Sequence, residues 1–286
     1  VETIIGLGCA GVNIVKNLSS YSQYKCYYVD SEDPKVEPWL KLAKRKSHEG
    51  YEKHFPVKKT VEFFKGAKGS ILLILAGSGL VTGATLRLLE SLKGKKVSVL
   101  YIRPDLSLLS ETAAMQERVV FRVLQEYARS STIERMYLVD NNKLDEILGH
   151  VSLVGYYAQL NELLVATIHM LNVYNNTKSN IDTFSEPHEV SRLSTFGLVD
   201  CEIGEEKMFF DLDFPREKVY YYAINEEKLE KDGALFKRIK DQVRGKKSED
   251  TKVSYGVFST SYEHDYGYCV THSSFIQGQE LSQELS

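Results

Sequence analysis

Ala76-Gly77-Ser78-Gly79-Leu80-Val81-Thr82-Gly83 follows an apolar run, Ser70 to Leu75, and leads into a helical pattern, Thr82 to Leu92. An apolar run of that length reads as a buried strand, and glycines after it let the backbone turn sharply and approach a ligand. A second stretch has the same context. Gly6-Leu7-Gly8-Cys9-Ala10-Gly11 fits GxGxxG between a strand, Thr3 to Ile5, and a helix, Gly11 to Leu18. Backbone N–H groups and the helix dipole at such a turn favour phosphate. Asp30 lies nineteen residues beyond Gly11, after the strand Tyr24 to Val29, where a dinucleotide-binding fold places its ribose-binding carboxylate. Alone, that segment favours an NAD-dependent oxidoreductase, and either loop alone can be a tight turn that needs glycine for packing. Two loops clasping one polyphosphate fit a Rossmann dehydrogenase poorly, because there a single loop holds the pyrophosphate.

Outward from these loops, strands alternate with helices. Lys58 to Lys65 reads as a helix, Val97 to Ile102 as a strand, and Ser110 as the cap of a helix reaching Arg129, followed by a strand, Met136 to Val139. The result is a parallel sheet of at least four strands. Gly155 to Tyr174 reads as a long helix, apolar around most of its circumference, which predicts burial between two layers. After Asn180 the rhythm changes: strands Val219 to Ile224, Val253 to Thr260 and Tyr266 to Thr271 surround one helix, Glu227 to Val243, as in a smaller α+β unit. Tyr262 to Asp265 suits a hairpin turn between the last two strands. Glu263, His264 and Asp265 are metal-ligand types, but three adjacent side chains cannot converge on one ion. The polar tail from Gln277 reads as frayed.

The 286 residues are 43% apolar with a net charge of -3, enough for a packed core and without the field of a dedicated nucleic-acid binder. Lys41 to Lys46 and Lys237 to Lys240 read as solvated helix faces, and Trp39 and Tyr220-Tyr221-Tyr222 as packing. Cys9, Cys26, Cys201 and Cys269 form no CxxC pair, so neither a disulfide framework nor a zinc site is signalled, and a reducing cytoplasm fits. No apolar run approaches the ~20 residues of a membrane span. Val1 to Ile5 lacks the pattern of a signal peptide.

Further motifs carry a family resemblance. Gly77 to Gly83 resembles the GGGTGTG or GGGTGSG signature of the tubulin and FtsZ superfamily at its first, third, sixth and seventh positions. Asp140-Asn141-Asn142-Lys143-Leu144-Asp145-Glu146-Ile147 is similar to tubulin's DNxxLxxI, and Tyr157-Ala158-Gln159-Leu160-Asn161-Glu162-Leu163 to the YxxLNxL that opens its central helix. The resemblance implies that Asn141 and Asn161 read guanine and that Tyr157 stacks on it. Asn offers both a donor and an acceptor, so two Asn can read a purine edge while Tyr covers its face. Each also has an ordinary alternative: a turn cap, a solvated face, a core ring. Val29-Asp30-Ser31-Glu32 resembles the VNTD loop of FtsZ and Ile102-Arg103-Pro104 its TRP segment, while Arg118 aligns with an Arg near the terminal phosphates. Val253 to Phe258 and Gly267 to Phe275 resemble the final FtsZ hairpin, with Gly256 matching its strand glycine. The implied nucleotide contacts are Gly8, Cys9, Asn13, Gly77, Ser78, Gly79, Thr82, Gly83, Arg118, Asn141, Tyr157 and Asn161, around GTP or GDP with or without Mg2+.

In this superfamily the next subunit completes hydrolysis with an NxDxxD or NxDxxE segment. Here Asn180-Ile181-Asp182-Thr183-Phe184-Ser185-Glu186 has Ser185 in place of the final acid, which leaves Asp182 and Glu186 as catalytic candidates. If the segment opens a helix, Glu186 points about 100° away. Losing such a carboxylate costs roughly 10²–10⁴ in rate, so turnover is expected to be slow or lost. Leu80 stands in place of a phosphate-contacting Thr, and Val81 in place of a Gly, where a Cβ hinders close approach. Ser185 to Val219 is too short for one of the usual helices, and Arg45 to Phe55 lacks the usual glycines. The expected architecture is α/β: a Rossmann-like parallel-sheet nucleotide-binding domain (1–150), a long central helix (151–178) and a smaller α+β C-terminal domain (179–286). The expected function is that of a guanine-nucleotide-binding cytoskeletal protein assembling head to tail into filaments, a GTPase only if an adjacent subunit completes the site. The alternatives are a non-hydrolysing structural or interaction protein and, more remotely, an NAD-dependent oxidoreductase. The expected partners are further copies of the chain and an adaptor or cargo protein.

Overall fold

The computed structural model describes residues 1–149 and 151–278. Its first half follows the expected alternation: β1 (Thr3–Leu7), α1 (Gly8–Leu18), β2 (Lys25–Asp30), β3 (Trp39–Lys41), α2 (His48–Lys53), α3 (Val57–Phe63), β4 (Ile71–Ala76), α4 (Thr85–Ser91), β5 (Val97–Arg103), α5 (Glu111–Arg129), β6 (Arg135–Asp140) and α6 (Asn141–Leu148). The long α7 (Tyr156–Asn175) then leads to β7 (Ile181–Asp182), β8 (Leu193–Val199), β9 (Glu206–Met208), β10 (Glu217–Asn225), α8 (Glu226–Lys231), α9 (Leu235–Gly245), β11 (Lys252–Thr260) and β12 (Tyr266–Ser273).

The first six strands are parallel, in the order β3-β2-β1-β4-β5-β6. The order runs outward from β1 in both directions, so connections diverge at the β1/β4 boundary. Doubly wound sheets bind ligands in the crevice at the carboxyl ends of such a pair. Both faces are covered. In β4, Leu72 and Ile74 join a core with Val12 and Val15 of α1 and Leu164 of α7, while Ile71, Leu73 and Leu75 join Leu88 of α4 and Phe121 and Leu124 of α5. This is the alternation of a strand buried on both sides.

The second half extends the same sheet. β8 pairs parallel with β6 over Met136 to Leu138, and β12, β10, β11 and β7 follow in that order, with β9 beside β8. The three consecutive tyrosines of β10 split by parity: Tyr221 faces the α7 core, whereas Tyr220 and Tyr222 join Leu235, Ile239 and Val243 of α9. α7 thus packs beneath both halves, and near its end Tyr174 lies against Phe258 with ring centroids 4.6 Å apart.

Several local expectations need correction. β11 and β12 form no hairpin, because β10 lies between them, parallel to β11 and antiparallel to β12. The Tyr262–Asp265 connection instead crosses the end of β10, where Asn225 donates its backbone N–H to Asp265 Oδ1 (2.9 Å) and its side-chain amide to Tyr262 O (2.7 Å). The expected helix Glu227 to Val243 breaks at Asp232, whose side chain accepts Ala234 N–H and pairs with Arg238. The helix after the second glycine loop opens as a 3₁₀ segment, Leu80–Ala84. α7 is covered on one side only, with Tyr157, Ala158, Glu162 and Ala166 exposed. The basic run at Lys41 is not a helix face: β3 ends there and 42–46 is irregular. Gln277 is not frayed. It is 1% exposed, its N–H donates to Gln125 Oε1 (2.6 Å), its carbonyl accepts from Gln125 Nε2 (3.2 Å), and its side chain bonds Asp213. The rest of the expected frayed tail, 279–286, lies outside the described residues.

Candidate functional site

The two glycine loops meet at the β1/β4 crevice. Gly8 opens α1 with φ +71°, a left-handed conformation that disfavours a side chain, and a Cβ there would stand 3.6 Å from Val81 Cβ. The first turn of α1 has no side-chain cap and no acidic residue, so its N–H groups and positive dipole end remain available to an anion. Cys9 lies exposed on this turn and Asn13 on the next, with Asn13 Nδ2 3.6 Å from Cys9 Sγ.

In the second loop the glycines do different jobs. A Cβ on Gly77 would overlap the Tyr101 hydroxyl and lie 2.9 Å from Glu117 Cγ, and one on Gly83 would lie 2.6 Å from His48 Cα. Close packing accounts for both. Gly79 is exposed, and a Cβ there would meet nothing nearer than Thr82 Cγ2 at 3.9 Å. The protein itself places no demand on that position, and the open space suits an incoming phosphate. Thr82 is buried, with its hydroxyl donating to Gly79 O (2.5 Å), so that donor holds the loop together. Ser78 is half-buried beside it, and Leu80 projects 44% exposed.

At the base end, Asp140 accepts Asn142 N–H (2.8 Å) and so starts α6, which puts Asn141 in its first turn at the carboxyl end of β6. α6 packs against α7, and Tyr157 and Asn161 lie in the first two turns of α7. Tyr157 is 65% exposed and Asn161 half-buried. Arg118 is exposed on α5. The fold therefore sets both loops and the starts of α6 and α7 along the carboxyl edge of the parallel sheet.

Asp182 and Glu186 are elsewhere. They line a cavity of about 710 Å³ with Asn172 and Asn175 at the far end of α7, ~30 Å along that 20-residue helix from Tyr157. Their segment is not the start of a helix. Asn180 N–H donates to Val257 O and Thr183 N–H to Tyr255 O, both at 2.8 Å, so it lies as an edge strand on β11. Phe184 packs over Gly256, where a Cβ would overlap its ring, and Asp182 accepts from Ser179 and from Phe184 N–H.

Sequence patterns did not point to the polar groups beneath the second loop. Glu117 is fully buried, and burial raises its pKa against the opposing hydrogen bond from Tyr101 and the charge of Arg103. Among the described residues the His48 ring nitrogens are buried without a hydrogen-bond partner, and burial lowers its pKa. Asp30, expected on a ribose in the oxidoreductase reading, is 5% exposed and accepts Ser31 N–H (2.6 Å), holding its own turn.

No protein-family model matches the sequence, and neither does any curated protein. Solved structures match in fold. A GTPγS-form protofilament of TubZ from Bacillus thuringiensis serovar israelensis has a TM-score of 0.74 at 13% identity, covering 94% of this chain and 86% of that one. GDP-form protofilaments of the same TubZ give 0.72 at 15% identity, covering 95% and 86%. An FtsZ dimer from M. jannaschii gives 0.65 at 14% identity, covering 95% and 87%. The chain has the tubulin/FtsZ-like fold, as its motifs led one to expect. No described helix is long and apolar enough to cross a membrane.

Proposed function

We propose that this chain is a tubulin/FtsZ-like cytoskeletal protein that binds GTP or GDP, with or without Mg2+, and assembles head to tail into filaments in the cytoplasm. The observation that carries the reading is the pair of glycine loops meeting at the strand-order switch, one with an uncapped helix N-terminus and the other with open space at Gly79. The phosphates lie between Gly8 and Gly79, and the base between Asn141, Asn161 and the exposed ring of Tyr157. Residues 1–150 form the nucleotide-binding domain, 151–178 the linking helix and 179–286 the second domain. TubZ, similar in fold, is described in two-stranded and four-stranded filaments, which supports self-association here. Unlike faces that repeat along a chain of subunits give open filaments. Asp182 and Glu186 lie far from the loops of their own chain, as residues serving a neighbour's nucleotide must.

A second reading, a filament or scaffold without turnover, is favoured by Ser185 in the segment's last acidic position and by Leu80 exposed at the loop tip. One experiment separates the outcomes: pelleting and electron microscopy with GTP, GDP or no nucleotide, alongside phosphate release. GTP-dependent polymer with phosphate release supports an assembling GTPase, and polymer without release supports the static filament. A monomer under all three conditions refutes filament assembly.

A further inference from the structure

We infer that Arg103, held by the buried carboxylate of Glu117, supplies a further cationic contact to the phosphates of the bound nucleotide; the inference rests on the guanine-nucleotide reading above. Arg103 ends β5, and the sheet register sets it beside the start of the second glycine loop, where Gly77 donates its N–H to Ile102 O (3.0 Å). Tyr101 and Arg103 are two residues apart on one strand and so share the face covered by α5. There the Tyr101 hydroxyl donates to Glu117 Oε1 (2.9 Å), Arg103 Nε stands 3.8 Å from the same oxygen, and the guanidinium lies over the Phe121 ring at 5.2 Å.

Two atoms in this cluster have no hydrogen-bond partner among the described residues: Arg103 Nε and Glu117 Oε2, both buried. The Arg103 side chain as a whole is nevertheless 24% exposed, against none of Glu117. The guanidinium is therefore pinned at its Nε side by a carboxylate and an aromatic ring, while its Nη side reaches solvent at the rim of the loop. A buried ion pair with this loose geometry contributes little stability. What it does provide is orientation, since a planar fork fixed at one edge presents its other edge in a set direction, and that fork matches two phosphate oxygens.

The glycine loops themselves offer neutral groups. Between Gly77 and Gly83 there is no cationic side chain, and the Thr82 hydroxyl is already engaged with Gly79 O. Backbone dipoles can cradle phosphate, but the charge of two or three phosphate groups calls for cations; besides Arg118, exposed on α5 and acting on the same Glu117, Arg103 is the one that the register places directly beside Gly77. Glu117 touches no nucleotide and acts through Arg103, as a positioning residue.

The test is competition binding of the full chain against a fluorescent GDP analogue, with GTP, GDP and guanosine as competitors. Arg103→Ala is expected to weaken GTP and GDP by about ten- to hundredfold and leave guanosine unchanged, as loss of a charged hydrogen bond predicts. Arg103→Lys keeps the charge without the fork and recovers part of the loss. Glu117→Gln lowers the ratio of GTP to guanosine affinity, a ratio that a merely structural role would not move. If Arg103→Ala does not fold, as judged by its thermal melt, the Lys and Gln variants carry the same comparison. An unchanged ratio in the folded variants, or an equal loss for guanosine, overturns the role of Arg103 while leaving the guanine reading standing. A wild-type chain that binds none of the three competitors overturns both.

Discussion

The two glycine loops look alike in sequence and differ in what their glycines answer to. In the first, the protein's own backbone accounts for every one. A Cβ on Gly6 would lie 2.6 Å from Gly11 O, one on Gly11 would overlap Ile74 O where α1 crosses β4, and Gly8 has a positive φ. In the second, Gly83 is closed off by the His48 backbone and Gly77 by the Tyr101 and Glu117 side chains, but Gly79 has ordinary backbone angles (φ -79°, ψ 136°) and open space around it. Glycine spacing in a sequence therefore reports close approach without saying to what. Four of these six glycines make room for the protein, Gly8 serves a left-handed backbone angle, and Gly79 leaves room for something else.

Substitutions can break that contrast. Gly11→Ala has the largest expected effect, because the obstructing atom is a carbonyl of a central strand that cannot move aside; about 3 kcal/mol of stability should be lost in chemical denaturation. A well-folded variant of wild-type stability would mean that α1 does not seat on β4 as described. Next comes the carboxyl beneath the second loop. Burial raises the Glu117 pKa above its ordinary value, so as pH rises the unfolded chain gives up this proton before the folded one does. Wild-type stability should therefore fall, by at most about 1.4 kcal/mol per pH unit, between the ordinary carboxyl pKa and the raised one, and then level off. Glu117→Gln should lack this fall, with matching stability in acid and a growing advantage above that window. Parallel pH profiles of the two proteins would contradict the assignment. The smallest effect on stability is expected from Gly79→Ala, within about 0.5 kcal/mol of wild type. Its affinity for GTP should nevertheless drop, and a variant that binds as well as wild type would show that the space at Gly79 is not used.

Which parts of the molecule were legible in the sequence follows from how local each signal is. The parallel half could be read because buried strands, glycine turns and helix caps such as Ser110 are local, and the chain order of a doubly wound sheet leaves few choices. The strand order of the second half could not, since nothing within Val253 to Thr271 says that β10, some thirty residues earlier, will come between the last two strands. β8, Leu193–Val199, is nearly all buried, yet Ser194, Thr195 and Gly197 interrupt its apolar residues, so neither a continuous apolar run nor a clean alternation marks it as a strand. In the site, loops and motifs were visible as patterns. Arg103 was visible only as part of the Ile102-Arg103-Pro104 segment, and Glu117 and His48 not at all, because the setting of all three comes from burial created by contacts between separate elements. The edge-strand placement of Asp182 likewise depends on β11, more than seventy residues away.

The continuity of the sheet has a mechanical side. The β6–β8 ladder spans three residue pairs, against six between β5 and β6 and seven between β8 and β12, so the ribbon narrows to a waist where its first half meets its second. A load pulling the two halves apart or twisting them concentrates at the fewest hydrogen bonds. Gln277 carries part of that load, because its paired amides fasten the segment after β12 to Gln125 on α5, across the same junction. Stretching the molecule therefore has to unzip the short ladder together with side-chain fastenings on separate stretches of chain, among them the glutamine clasp and the bonds of Arg135 on β6 to Ser191 O and Ser194 Oγ, which resist together.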